Sequence, residues 1–186
     1  MSEFEFISVV ISLIVGLGIA QLLSGLGQAV HERKEAPLDE VHLAWTATVF
    51  LNLVLNWWVL FSWRDHQVWS FTVFLALILW AVAIYLLVVL LYPARKPATE
   101  TWSAVYASNR QWFLAAFAAF ASADICVTAL RGGLLNPPAY LPFALHYLVL
   151  TLVGVFVARP SYHRFLAWYM LTSLLLWSFV ARRFLA

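Results

Sequence analysis

The sequence predicts an all-α integral membrane protein, a polytopic bundle of about six transmembrane helices joined by short loops. Hydrophobic residues make up 64% of the 186 positions and charged residues only 11%, and the mean hydropathy is +0.86. A soluble domain of this length needs a charged surface, which these few residues cannot build. The ten tryptophans suit the headgroup region of a bilayer. The whole chain is expected to be one transmembrane domain.

Six apolar segments are near the length of roughly 20 residues that crosses a hydrocarbon core. They cover residues 4–30, 41–63, 70–92, 110–131, 140–158 and 163–184. The first follows an acidic start, whereas a signal peptide starts with basic residues, so it is predicted to be a retained span. The third carries no charge. The fourth can begin earlier than residue 110, because Thr101 is able to cap a helix.

The connections hold most of the charges and helix breakers, and each is short. They are residues 31–40, 64–67, 93–109, 132–138 and 159–160. None is long enough to form a soluble catalytic domain, so the function is expected to reside in or at the membrane.

Basic residues in the loops predict the orientation, because cytoplasmic loops are enriched in Lys and Arg. With both termini outside, the inner side holds seven: Arg33, Lys34, Arg95, Lys96, Arg110, Arg159 and Arg164. The outer side holds four: Arg64, Arg131, Arg182 and Arg183. The expected location is a cell inner membrane with both termini on the outer, periplasmic side.

Several function classes lack their sequence signals. The net charge of +2 and the absence of a long basic run give no support for nucleic-acid binding. Cys126 is the only cysteine, which excludes an internal disulfide. No zinc, nucleotide or serine-hydrolase motif occurs, so neither a metal nor a cofactor is expected. His42 and His163 could in principle form a haem pair, but histidines at helix ends usually face water.

Small residues mark the expected helix contacts. Helices in lipid associate by close backbone approach, and the first span carries Gly16, Ala20 and Ser24 at four-residue spacing. The fourth span has a similar stripe of Ala115 and Ala119. These two helices are predicted to form the centre of the bundle or a subunit interface in a homo-oligomer. The third span is large and featureless and is predicted to face lipid.

Polar residues inside spans are the strongest functional candidates, because they are costly in a membrane. Asp124 lies seven residues before Arg131, and Asn56 seven before Trp63, so each is about 10 Å from the end of its helix. His146, six residues after Tyr140, is about 9 Å from the same side.

The predicted ion-binding or substrate-binding residues are Asp124, His146, Asn56, Asn52 and Gln21. A neighbouring acid and imidazole can share a proton. These residues could line a polar path through the bundle. Asn52 would extend the path inward from Asn56, and Gln21 would continue it towards the opposite side. The competing interpretation is that these groups only join helices, with Asp124 satisfied by Thr128, Arg131 or backbone.

The first third of the chain resembles a known group of proteins. The stretch Phe4-Glu-Phe-Ile-Ser and then Gly16-Leu-Gly-Ile-Ala-Gln-Leu-Leu-Ser-Gly25, with His42, Trp45 and Trp57-Trp58, is similar to small bacterial membrane proteins. The resemblance implies a bacterial inner membrane and six helices. It implies no activity and no functional residues.

Three functions are compatible with this pattern. The leading hypothesis is a small channel or transporter for protons, cations or a small polar solute, and not an enzyme. The second is a membrane sensor or accessory subunit that regulates a partner in the bilayer. The third is a membrane enzyme acting on a lipid or quinone, with Asp124 and His146 as its acid and base.

Overall fold

A computed structural model describes residues 2–96 and 100–181, and the side chains of this range as far as Phe179. Six α-helices form this part of the chain, which confirms the predicted all-helical fold. They are α1 (Glu3–His31), α2 (Glu40–Leu60), α3 (Phe71–Leu91), α4 (Trp102–Leu130), α5 (Tyr140–Phe156) and α6 (Pro160–Ala181). A short 3₁₀ turn, Phe61–Trp63, follows α2. Residues 182–184 of the predicted sixth span lie outside the described residues, as do Arg182 and Arg183 of the orientation argument.

Four of the described helical segments are long and apolar enough to cross a membrane: Glu3–His31, Glu40–Trp63, Phe71–Leu91 and Trp102–Leu130. The helix α5 is apolar but has 17 residues, which is at the short end of the spanning range. The helix α6 has 22 residues, and its first turns carry His163 and Arg164.

The helix starts follow from the local sequence. Ser2 and Glu5 form a capping box at α1, in which each side chain satisfies a backbone N–H that has no partner within the helix. Asp39, Ser70 and Thr101 cap α2, α3 and α4 in the simpler way, by accepting one backbone N–H. The cap at Thr101 explains why α4 begins eight residues before the predicted span.

The helix α3 is a central element. It packs against α1 on one side and α4 on the other, and it also touches α2. Leu77, Trp80, Ile84 and Leu87 form a buried stripe along it. The prediction that the third span faces lipid is therefore wrong for this face. Its sequence is apolar all round, so the pattern carries no sign of which side is buried.

The helix α1 lies at the edge of the monomer, whereas α4 packs between α3 and α5. Gly16, Ala20 and Ser24 are all exposed, and a Cβ at Gly16 would meet nothing within 4 Å. The prediction that α1 forms the centre of the bundle is therefore wrong, while a subunit interface through this stripe stays a prediction. Gly18 and Gly25 face the bundle instead, against Leu53 and Tyr92.

Polar contacts join the helices at the end of the bundle away from the termini. Gln21 donates to the Tyr92 carbonyl at 3.2 Å and accepts from the Tyr85 hydroxyl at 3.1 Å, which ties α1 to α3. His42 Nε2 lies 3.0 Å from the Leu91 carbonyl, and the Thr46 and Tyr92 hydroxyls are 2.9 Å apart. These bonds fix the positions of α1 and α2 relative to α3.

An ion pair connects two links at this same end. Lys96 Nζ lies 3.1 Å from Glu32 Oε2, and Gln28 donates to Glu32 Oε1 at 2.7 Å. The hydrogen bond from Gln28, followed by that from Lys96, lowers the pKa of Glu32 below its usual value. The Lys96 ammonium also lies over the Trp102 ring, 5.1 Å from its centroid.

Replacing Gly25 by Ala is expected to destabilise the fold, because the new Cβ would overlap the Tyr92 ring. Overpacking of this kind costs about 1–3 kcal/mol. Gly27→Ala is the matched control, since a Cβ there meets nothing within 4 Å. Thermal unfolding in detergent micelles should show a lower Tm for the first variant alone. Equal Tm values would contradict the close approach of α1 to Tyr92.

Replacing Glu32 by Gln is expected to reduce stability at pH 7 and to have no effect in acid. A carboxyl whose pKa is lowered by folding stabilises the fold above its unfolded pKa, about 4.3, and loses this contribution as the pH falls through the folded pKa. The Tm difference from wild type should therefore shrink below about pH 4. The exposed Glu35 of the same link supplies the control, Glu35→Gln, which should show no such pH dependence.

Candidate functional site

A cavity of about 70 Å³ lies among α2, α4, α5 and α6. It is near the end of the bundle that holds the start of α1, because the residues that line it come late in α2, α4 and α6 and early in α5. Its polar lining includes Asn52, Asn56 and Asp124. Three of the five residues predicted from the sequence therefore share one cavity.

Asp124 joins three helices through its carboxylate. Trp80 Nε1 on α3 donates to Oδ1 at 3.1 Å, and the Tyr140 hydroxyl at the start of α5 donates to Oδ2 at 2.7 Å. Trp80 and Tyr140 are 1% and 2% exposed, so both donors are held in place by packing. Each carboxylate oxygen thus has a fixed, uncharged donor.

The two asparagines of α2 differ in how their amides are used. Asn52 donates to the Thr48 carbonyl one turn earlier, at 2.9 Å. Asn56 is buried, and its Nδ2 has no hydrogen-bond partner among the described residues. A buried polar group without a partner is costly, and such a group in a cavity points to a water or ligand that would satisfy it. Asn56 is therefore the residue of the cavity that most needs an occupant.

Aromatic rings form most of the remaining wall. Ring contacts run in a continuous series from Phe120 to Phe117 (6.0 Å between centroids), to Tyr147 (6.3 Å), to Phe143 (4.7 Å) and to Trp177 (4.3 Å). Phe143 and Trp177 stack with their planes only 9° apart. All five of these rings line the cavity, together with Tyr140.

Below the cavity, towards the other end of the bundle, aromatic side chains fill the interior. Trp45, Phe113 and Phe117 are each at most 1% exposed. Their centroids are 5.0 Å apart for Trp45 and Phe113 and 5.6 Å for Trp45 and Phe117. Close packing at this depth separates the cavity from the polar contacts of Gln21 and His42.

The other two predicted residues lie elsewhere. Gln21 joins α1 to α3 as described above. His146 is on α5 but is not among the residues that line the cavity; its ring contacts Phe143, Tyr147 and Tyr169, with centroids 4.7–5.8 Å away. Its Nε2 has no hydrogen-bond partner in the described part of the chain. The structure therefore does not assemble the predicted acid–imidazole pair through that nitrogen.

The two histidines weighed as a haem pair bind protein atoms instead. His42 Nε2 is 3.0 Å from the Leu91 carbonyl. His163 lies 3.2 Å from the Tyr106 hydroxyl through Nδ1 and 2.7 Å from the Val157 carbonyl through Nε2. Among the described residues there is also no group of three or more His, Cys, Asp or Glu that could hold a metal ion.

Sequence reasoning missed Trp80 and Tyr140, the two residues that bind Asp124. It assigned the tryptophans to the headgroup region and used Tyr140 only as the start of a span. The available signal was the position of Tyr140 two residues after Pro138, which puts its hydroxyl at the helix end nearest to Asp124. The aromatic wall had no such signal in the sequence. Its rings come from α4, α5 and α6, and only the packing of these helices brings them together.

The site combines one carboxylate, two amides and a largely aromatic surface, which suits the binding of a proton or a small cation with water. No family model, no curated protein and no solved structure matches this chain.

Replacing Tyr140 by Phe is expected to lower the free energy of unfolding by about 1–3 kcal/mol, because a buried hydrogen bond to a carboxylate is lost. Tyr169→Phe is the control, since the Tyr169 hydroxyl makes no hydrogen bond to the described residues and its ring remains. Denaturant titration in micelles would measure both. An unchanged Tyr140→Phe variant would show that this bond does not hold α5 to α4.

Proposed function

We propose that this protein is a multi-pass transporter of the inner membrane that binds a proton or small cation at Asp124. The observation that carries the proposal is a carboxylate and a partnerless buried amide in one cavity of about 70 Å³. An acid within a membrane-spanning segment is costly and is usually functional. Four helices of suitable length and apolarity support the location in a membrane, and six spans are proposed by adding α5 and α6.

The packing beneath the cavity favours a transporter over an open channel. Trp45, Phe113 and Phe117 fill the bundle below Asn52, so an ion that reaches Asp124 meets rings on its inward side. Passage would require these rings to move, as in alternating access. The proposed cycle loads the site from the side of the termini and releases the ion after the helices rearrange.

The loop charges support the orientation, with the termini and the cavity on the periplasmic side. In this orientation the Glu32–Lys96 pair lies on the cytoplasmic side. Loading from outside would make the protein an importer of protons or cations, or a carrier that couples their entry to another solute.

A sensor or accessory subunit is the second candidate, and one observation favours it. The exposed faces of α1 and α4 carry small residues, including Gly16, Ala20, Ala115 and Ala119, and such faces allow another helix to approach closely. They would also serve a homo-oligomer of the transporter. The enzyme hypothesis loses support, because His146 does not line the cavity with Asp124.

Replacing Asp124 by Asn is expected to abolish or reduce proton and monovalent-cation flux into proteoliposomes by at least about tenfold, since the amide can neither carry a proton nor balance a cation. The control is Asp65→Asn, because the Asp65 side chain is 82% exposed in the turn after α2. Flux would be followed with internal dyes for pH and for potassium or sodium.

Flux that persists in Asp124→Asn would remove Asp124 from the path. Flux absent from the wild type, with folded protein in the vesicles, would overturn the transport proposal and favour the accessory role.

A further inference from the structure

We propose that the cavity at Asp124 selects a small alkylammonium cation of the size of methylammonium. This inference rests on the proposed function in naming the transported ion, but the binding itself can be tested without transport. It follows from the chemistry of the cavity wall, the size of the cavity and the placement of its few polar atoms.

The wall is poor in oxygen and rich in rings. Of the fourteen described residues that line the cavity, six are aromatic, and among the fourteen only Asp124, Asn52 and Asn56 have carboxylate or amide groups. Aromatic faces attract a cation through their quadrupole, and cages of such rings are typical of sites for methylated ammonium groups. One carboxylate within such a cage supplies the balancing charge.

The same composition disfavours a dehydrated metal cation. A hard cation needs a shell of several oxygen ligands, and a dehydrated potassium ion needs a set of oxygens that replaces its water shell. Among the described lining residues, only Asp124, Asn52 and Asn56 offer carboxylate or amide oxygens, which is a small set for such a shell. Rings cannot replace the missing oxygens for a small metal ion.

The size of the cavity limits the ligand further. Its volume of about 70 Å³ is roughly half that of an engineered protein cavity of about 150 Å³ that binds benzene, a ligand with six heavy atoms. Methylammonium has two heavy atoms and fits this space. Tetramethylammonium has five and does not fit without rearrangement of the wall.

The polar atoms are placed for one ammonium group. Its N–H donors can reach the Asp124 carboxylate, which lines the cavity and also accepts hydrogen bonds from Trp80 and Tyr140. Asn56 lines the same cavity, and its carboxamide oxygen can accept another N–H of the ammonium. The methyl group then lies against the stacked rings of Phe143 and Trp177.

The test is calorimetric titration of the purified protein in lipid nanodiscs at constant ionic strength. Methylammonium should bind, while methanol, a neutral molecule with the same number of heavy atoms, and the chlorides of sodium, potassium and tetramethylammonium should bind at least about tenfold more weakly. Asp124→Asn should abolish the methylammonium signal.

A ring variant separates the aromatic contribution from the carboxylate. Phe143→Leu should weaken methylammonium binding by about fivefold, which corresponds to the loss of one cation–π contact. Phe156→Leu on the same helix is the matched control, because Phe156 is 84% exposed and does not line the cavity. Trp177→Leu is a second ring variant, and thermal unfolding checks that each protein is folded.

The outcomes distinguish this inference from the proposed function. Methylammonium binding that depends on Asp124 and Phe143, but without flux of any cation, supports the inference and overturns transport. The opposite result is proton flux that depends on Asp124, with no methylammonium binding or with potassium binding equally well. This result overturns the inference and still supports the proposed transport. Unchanged binding in both Phe143→Leu and Trp177→Leu would also overturn it.

Discussion

The carboxylate of Asp124 is the polar group that the interior of this protein has to accommodate. A charge that is partly removed from water is stabilised by hydrogen-bond donors fixed around it, and two such donors come from other helices, Trp80 on α3 and Tyr140 on α5. The start of α5 is thereby held against α4, and α3 against the opposite side of α4. The cavity exists because α2 and α6 close this arrangement without filling it.

The aromatic residues have two roles that depend on depth. Around the cavity, Phe143, Tyr147 and Trp177 form a wall that leaves space beside the carboxylate. Deeper in the bundle, Trp45, Phe113 and Phe117 pack against one another, with ring centroids 5.0–6.2 Å apart. These large rings block the way from Asp124 to the other end of the bundle. A proton or cation bound at Asp124 could therefore pass further only after the helix packing changes. The rings around the cavity supply the surface against which the proposed organic cation would lie.

The stripe Gly16, Ala20 and Ser24 shows the limit of sequence reasoning about helix contacts. Small residues allow close approach but do not say to which helix, and in the monomer this stripe faces outward while Gly18 and Gly25 receive Leu53 and Tyr92. The featureless α3 shows the converse, since it lies between α1 and α4. Where a helix is apolar on every side, periodicity cannot separate a face that packs against protein from a face that packs against lipid.

The sequence by itself determined the helices, their order and the depth of their polar residues, because an α-helix has a fixed rise of about 1.5 Å per residue and breakers mark its ends. This is why Asn56 and Asp124 could be placed at one level. Only the tertiary structure decided which residues share a cavity, because the rotation of each helix about its axis depends on how side chains from different helices fit together. That rotation brought Tyr140 and Trp80 to Asp124, turned His146 towards Tyr169, and gathered aromatic rings from three helices around one carboxylate.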